Sequence, residues 1–507
     1  MMQGTSYEAG KARGRPSERP PPGRAGTPGR ARRLRLQLHE VRALLRLAGP
    51  IIVSQLGGVA MNTTDVIMVA PLGAQSLAAA GLGSGVHMAL LVSMSGMLMG
   101  MTPLVSQAWG AGDRAECRRV AVQGLWLAVL LSVPITLVSL WGRHLALALG
   151  QEPGVATLAG SFLVAMAPGV LPLMLFMALR QYLDGMGRTR VAMTIMFVGV
   201  AVNVIGNRVL IFGVPGVVRP MGVAGSGLST SLVRWSIFLV MAGYVAWHPE
   251  LSPFRGTRLR PHLARIRRIV GIGAPIGAQI GAEIGTFSFA AVMMGWLGPV
   301  QLAAHQVVIS IASSTFMVAV GASAAGTIRV GHHLGAKSLR GVHRAAIAAY
   351  LVSLGFMSLC ALTFLVFPRW LVALYTADPG IMAYASGLML MAALFQVLDG
   401  GQVTGLSVLR GAADTRVPMW ITLVGYWAVG IPVAYGLGFH SPLGHVGIWA
   451  GLTVSLAVVS LLLLWRVRLV LWNRPLAAIP RVSQAQAGLD LARAELAAEG
   501  VAPVAGG

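Results

Sequence analysis

LAGPIIVSQLGGVAMNTTDVIMVAPLGAQSLAA, residues 47 to 79, decides the fold. From Leu47 to Leu72 it carries one charged side chain, Asp65. A helix needs about 20 apolar residues to cross a hydrocarbon layer about 30 Å thick, so the stretch reads as a transmembrane helix with an acid inside it. The loop that follows, LGAQSLAA at 72–79, returns as LGPVQLAA at 297–304. At the same offset Pro50 falls on Pro275, and Gly110-Ala111 falls on Gly335-Ala336. With one further residue of shift, DGMGRTRVAM at 184–193 falls on RGAADTRVPM at 410–419. Loop residues that recur in order mark an internal repeat, a common way of building a transporter.

Working outward, apolar runs of spanning length lie near 46–70, 79–109, 120–141, 157–179, 190–213 and 223–246. A second six lie near 269–295, 302–328, 345–367, 381–408, 417–438 and 446–466. Six is an even number, so the second half enters the membrane from the same side as the first. The halves are then parallel repeats about an axis along the membrane normal, with a cavity between them. The expected organisation is a basic tail at 1–45, a first lobe at 46–247, a basic linker at 248–268, a second lobe at 269–470 and a tail at 471–507. The fold class is an all-α polytopic membrane protein of twelve helices in two pseudo-symmetric lobes.

Orientation comes from the connections. Alternate loops hold Arg114, Arg118 and Arg119; Arg180, Arg188 and Arg190; Arg255 through Arg268; Arg329 through Arg344; then Arg410 and Arg416. The other set offers Arg143, Arg219 and Arg369. That asymmetry puts the basic loops and both termini in the cytoplasm, with the chain in a bacterial inner membrane.

Composition agrees. The 507 residues are 55% hydrophobic and 11% charged, with a mean hydropathy of +0.72, which excludes a soluble globular protein. A net charge of +23 would suit nucleic acid if it lay on one folded face, but the Lys and Arg residues lie between apolar runs, so no nucleic-acid partner is expected. The first 46 residues, including KARGRPSERPPPGRAGTPGRARRLR, hold too few apolar residues for a core and are expected to be disordered. No short apolar segment with a small-residue cleavage site follows, which argues against a removed leader. Cys117 and Cys360 stand apart from any His or Cys cluster and read as packing residues. Met94, Met97, Met99 and Met101 suit either a pliable cavity or ordinary core filling, and the second is preferred.

The candidate site is defined by scarcity. The twelve spans contain three acids, Asp65, Glu283 and Asp399, and an acid in hydrocarbon is by default a proton or cation site. With a rise of about 1.5 Å per residue, Glu283 and Asp399 fall at similar depth and could share one cavity. Two close carboxylates do not both stay ionised in a low dielectric, so one is expected to hold a proton until a cation displaces it. Asn203 and Asn207, spaced i and i+4, share one helix face and could either coordinate a cation through oxygen or clamp a protonated Asp65. Arg208 is expected to reach the outer interface. Arg234, nearer mid-span, needs a carboxylate, a carbonyl or water. Were it to neutralise Asp65, cation binding would move to the second lobe.

Beyond these features, LAGPIIVSQLGGVAMNTTDVIMVAPLGAQSLAAAGL, TPLVSQAWGAGDR, LAAHQVV, IRVGHHLGA and LDGGQVTGLSVLRGAADTRVPM resemble the multidrug and toxic compound extrusion (MATE) antiporters, in particular the NorM-type branch. The resemblance runs over about residues 45 to 470 in both halves. It implies the twelve-helix architecture of the MOP superfamily and export of organic cations and other drugs in exchange for Na⁺ or H⁺. It implies cation or proton binding at Asp65, Glu283 and Asp399, with Asn203, Asn207, Thr230 and Gln306 facing the cavities. Some relatives carry a Tyr where this chain has Phe395, so a hydroxyl ligand is missing beside Asp399. Another branch carries an Asp where Asn207 stands. No cofactor is expected beyond the coupling ion, and the only metal contemplated is Na⁺ at Glu283 and Asp399. The working unit is expected to be a monomer.

Two rivals are weaker. A flippase of lipid-linked precursors would need a cationic cavity, and only Arg208 and Arg234 lie inside spans. An integral membrane transferase would need paired Asp motifs or a His and an acid at a membrane face, and neither is present, so no enzymatic activity is expected. Between coupling ions the missing hydroxyl at Phe395 favours H⁺, because Na⁺ prefers several oxygen ligands.

Overall fold

The computed structural model of the chain describes residues 30–254 and 259–473. Among the described residues twelve helices are long and apolar enough to cross a membrane. In the first half they are α1 (Leu34–Leu72), α2 (Ala74–Gly110), α3 (Arg114–Leu140), α4 (Pro153–Gly185), α5 (Thr189–Phe212) and α6 (Gly222–Trp247). In the second they are α7 (Leu263–Leu297), α8 (Pro299–Gly335), α9 (Leu339–Val366), α10 (Pro379–Gly411), α11 (Arg416–Phe439) and α12 (Gly444–Trp472). Among the described residues the only β pairing is an isolated bridge between Val214 and Val218 in the α5–α6 loop. Backbone groups in hydrocarbon must be satisfied within the segment, and helices do so without a partner.

The helices overrun the expected spans where the Arg-rich loops lie, here called the basic end. Residues 1–29 and the tail after Asn473 fall outside the described residues. Residues 30–45, expected to be disordered, are helical and continuous with α1. The reason is local: LRLQLHEVRALLRL is rich in strong helix formers, and Leu44 and Ala48 are buried. The linker is likewise shorter than expected. Helix α7 starts at Leu263, and Arg265 in its first turn pairs with Glu116 of α3 at 2.8 Å. The linker before it is clasped to α3, where Trp126 Nε1 donates to the Leu259 carbonyl at 2.7 Å.

Helix α1 contains Pro50 and α7 contains Pro275, at matching places in the repeat. Each proline removes one ladder hydrogen bond. Helix α11 contains a π segment at Val424–Gly430, a widening of the kind that often marks a functional position.

The packing crosses the repeat boundary. One core unites α2 to α6 but also takes in Ile269 of α7. A second, at the basic end of the other half, is built from α8, α9, α10 and α12 and closes over Leu44 and Ala48 of α1. The two halves touch through glycine. A Cβ on Gly96 of α2 would strike the backbone of Gly277 on α7, and one on Gly335 of α8 would strike the Gln107 carbonyl of α2, so both contacts depend on having no side chain. Around them, Gln107 Nε2 donates to the Gly411 carbonyl at 2.9 Å and His332 Nε2 donates to the Gly185 carbonyl at 2.8 Å. Met101 is fully buried, with Met94 and Met97 packed against the same core, which makes these methionines core filling. Cys117 and Cys360 are buried, free thiols.

Candidate functional site

In the second half, Glu283 on α7 and Asp399 on α10 line one cavity of about 340 Å³. Gln306 and His305 of α8, with Phe287, Phe316 and Phe395, complete the wall. Asp399 is 5% exposed, and its Oδ1 has no hydrogen-bond partner among the described residues. A buried carboxylate oxygen left unpaired costs more than a lost hydrogen bond, so this one is available to a proton or a cation. Phe395 is buried with its ring edge-on to Phe287 at 5.8 Å and to Trp449 at 5.7 Å, so the wall beside Asp399 is aromatic where a tyrosine would have offered oxygen.

A hydroxyl enters the same neighbourhood from another helix. Tyr426, in the π segment of α11, is 1% exposed and donates to Gln402 Oε1 at 2.7 Å. Gln402 stands three residues beyond Asp399 on α10. Toward the basic end Arg410 donates to Gln279 Oε1 of α7 at 3.2 Å, one turn from Glu283. Sequence reasoning gave none of them a role at the site: Tyr426 and Gln402 are polar groups inside apolar runs that were passed over, and Arg410 was read as a loop arginine, whereas it lies in the last turn of α10.

In the first half the two asparagines converge on Asp65. Asn203 Nδ2 donates to Asp65 Oδ1 at 2.8 Å, and Asn207 Nδ2 donates to the same oxygen at 2.6 Å. Both asparagines are buried, and the Oδ1 of each lacks a partner among the described residues. The site thus presents one carboxylate and two spare amide oxygens. The Thr230 hydroxyl donates to the Ser226 carbonyl of its own helix at 3.0 Å. Arg208 is exposed and lies over the Phe212 ring at 5.3 Å.

Arg234 does not pair with Asp65. Its Nη1 lies 2.9 Å from His87 Nε2 on α2, and among the described residues no ion pair joins it to the acid. His87 was missed in the sequence, although an imidazole inside GLGSGVHMALL is out of place unless something holds it. The halves therefore carry two separate polar centres, a carboxylate pair in the second and a single carboxylate with an arginine nearby in the first.

Comparison with known sequences fits this geometry. A sequence model of the family described as MatE matches residues 50–209 and again 275–436, one match for each half. The chain belongs to the MATE family. The two matches reproduce the internal repeat, with Pro50 and Pro275 each opening one of them. Among curated MATE relatives, the probable multidrug resistance protein NorM of Mesorhizobium japonicum is 38% identical over 436 residues, 84% of this chain and 93% of that protein. The protein of the same description from Pseudomonas putida is 38% identical over 448 residues, 85% of this chain and 96% of that one. Solved MATE structures share the fold at 20% identity. One in the bent conformation has a TM-score of 0.79 over 86% of this chain and 98% of that one. The eukaryotic MATE transporter AtDTX14 has a TM-score of 0.76 over 85% and 96%.

Proposed function

We propose that this chain is a secondary multidrug exporter of a bacterial inner membrane. It moves organic cations and other drugs out of the cytoplasm, as a monomer, in exchange for an inward-moving cation. The observation that carries the reading is the joint exposure of Glu283 and Asp399 to one cavity with a buried carboxylate oxygen unpaired. Relatives described as multidrug resistance proteins, alike over nearly their whole length, support the substrate class.

The mechanism follows from charge. An organic cation entering the cavity needs a negative partner and an aromatic wall, and Phe287, Phe316 and Phe395 supply the second. The carboxylate pair holds a proton while no drug is bound. A drug cation displaces that proton, and a proton from outside later displaces the drug. Competition for one negative charge makes the exchange obligatory. We assign the basic end to the cytoplasm on the distribution of arginine among the loops. Contacts between the halves at that end, through Gly335 with Gln107 and Gln107 with Gly411, support a state closed on the cytoplasmic side. Proton coupling is the preferred reading because Phe395 contributes no oxygen.

Purified protein reconstituted into vesicles, loaded with ethidium and given a pH gradient or a Na⁺ gradient in turn, tests the proposal. Drug movement driven by neither gradient would refute antiport.

A further inference from the structure

Arg234 lies near the middle of α6, 8% exposed, and its bond is to a ring rather than to a carboxylate. A guanidinium has only N–H donors, so His87 Nε2 must accept. That nitrogen carries no proton, and the ring is neutral with its hydrogen on Nδ1. Nδ1 faces Ser139 Oγ at 3.4 Å, and Ser139 donates its own hydrogen to the Ile135 carbonyl at 2.8 Å. The direction of every bond is thereby set, from Arg234 through His87 and Ser139 to the backbone. His87 is 2% exposed, and the Arg234 stem rests against Gly169, where a Cβ would come within 3.0 Å of Cδ.

The charge that answers Arg234 is Asp65, and the two act on each other electrostatically without touching. Several other ionisable groups on the surrounding helices are committed elsewhere. Arg208 of α5 turns outward over Phe212. At the basic end Arg180 pairs with Asp184 on α4, Glu116 of α3 with Arg265, and Glu40 of α1 with Arg329. Within α6 and the turn after it, Tyr244 and His248 stack on each other at that same end. A buried guanidinium with nothing to restrain it would close on the nearest carboxylate, because attraction between unlike charges is large in a low dielectric. We infer that His87 is a positioning residue that holds Arg234 away from Asp65, leaving the carboxylate free to take up and release its ion under the arginine's field. This rests on the reading of Asp65 as an ion site.

The test separates protonation from transport. A hydrophobic carbodiimide modifies protonated carboxyl groups and spares ionised ones, so mass spectrometry of the Asp65 peptide across a pH series reports its proton occupancy directly. In full-length reconstituted protein, His87→Leu removes the acceptor and lets Arg234 swing to Asp65. Half-labelling should then move down by about one pH unit or more, and proton-driven ethidium efflux within that interval should fall by up to about ten-fold. His87→Gln retains an acceptor oxygen and should label and transport close to the parent. Adding Arg234→Met to His87→Leu should return labelling toward the parent, because no arginine remains to collapse. Should His87→Leu fail to insert, His87→Asn, whose acceptor is too short to reach, serves in its place. Unchanged labelling, or a shift that Arg234→Met does not relieve, overturns the inference. If Asp65→Asn transports normally while His87→Leu still shifts the labelling, the positioning role stands and the ion-site reading of Asp65 falls.

Discussion

Arg329 of α8 grips both carboxylate oxygens of Glu40, Nε to Oε1 at 2.7 Å and Nη2 to Oε2 at 2.9 Å, and so ties the first helix of the chain to the opposite half. His333 approaches the same carboxylate at 3.2 Å. The repeat provides a counterpart, since the first helix of the second half is tied to the first half by Arg265 on Glu116 at 2.8 Å. Bidentate geometry and burial of Glu40 make the first pair the stronger of the two.

Breaking that pair on one side should therefore be costly. Glu40→Gln leaves Arg329 without its partner and should destabilise the closed state by about 3 kcal/mol. The expected signs are a lower melting temperature in detergent and faster labelling of cysteines introduced at the basic end. The exchange of charges, Glu40→Arg with Arg329→Glu, should recover part of the loss. Melting and labelling identical to the parent in Glu40→Gln would show that the pair contributes nothing to closure.

At the second-half cavity, Glu283→Gln and Asp399→Asn should each abolish ion-coupled efflux, a loss of at least about ten-fold, while insertion and yield stay normal. Vesicle assays on protein matched for amount check this. Parental transport by both variants would remove the carboxylate pair from the mechanism.

Asp65→Asn tests the other half. The replaced side chain still offers an oxygen to the Asn203 and Asn207 amides, and Arg234 keeps its bond to His87, so the melting temperature should stay near that of the parent while coupled efflux is lost. A direct Asp65–Arg234 pair would give the opposite pattern: the single variant would be less stable than the double variant with Arg234→Met.

Coupling is read from pH and Na⁺ together. Under the proposed H⁺ exchange the carboxylate pair takes a proton from outside to expel the drug, and proton occupancy falls as outside pH rises, so efflux should decline toward alkaline outside pH and survive removal of Na⁺. Strict dependence on Na⁺ at constant pH would reverse the assignment. It would direct attention to Tyr426 and Gln402, whose oxygens lie near Asp399 where Phe395 has none.

Much of this was legible in the chain itself. Hydropathy gives all twelve helices, because a bilayer imposes length and apolarity on each one, and the offset between LGAQSLAA and LGPVQLAA gives the repeat. The three acids stood out because carboxylates are so rare in such runs. The partner of Arg234 was not legible, since it depends on how α2 and α6 face each other, and nothing in local sequence records that. The extension of α1 back to Arg30 was hidden by the Arg and Pro content just before it, although its own residues are strong helix formers, and the tie between Glu40 and Arg329 then fixes it to the other half. Thr230 came from the family resemblance, and its hydroxyl donates to the Ser226 carbonyl one turn back, as hydroxyls inside helices commonly do.

Because Leu44 and Ala48 complete a core of the second half and Ile269 enters that of the first, neither group of six helices is a self-sufficient folding unit. A gene cut within the linker would yield two polypeptides, each missing part of its interior. Produced separately, each should be recognised by quality-control proteases as unfinished. Produced in the same cell, they should rescue each other and reassemble into a working transporter.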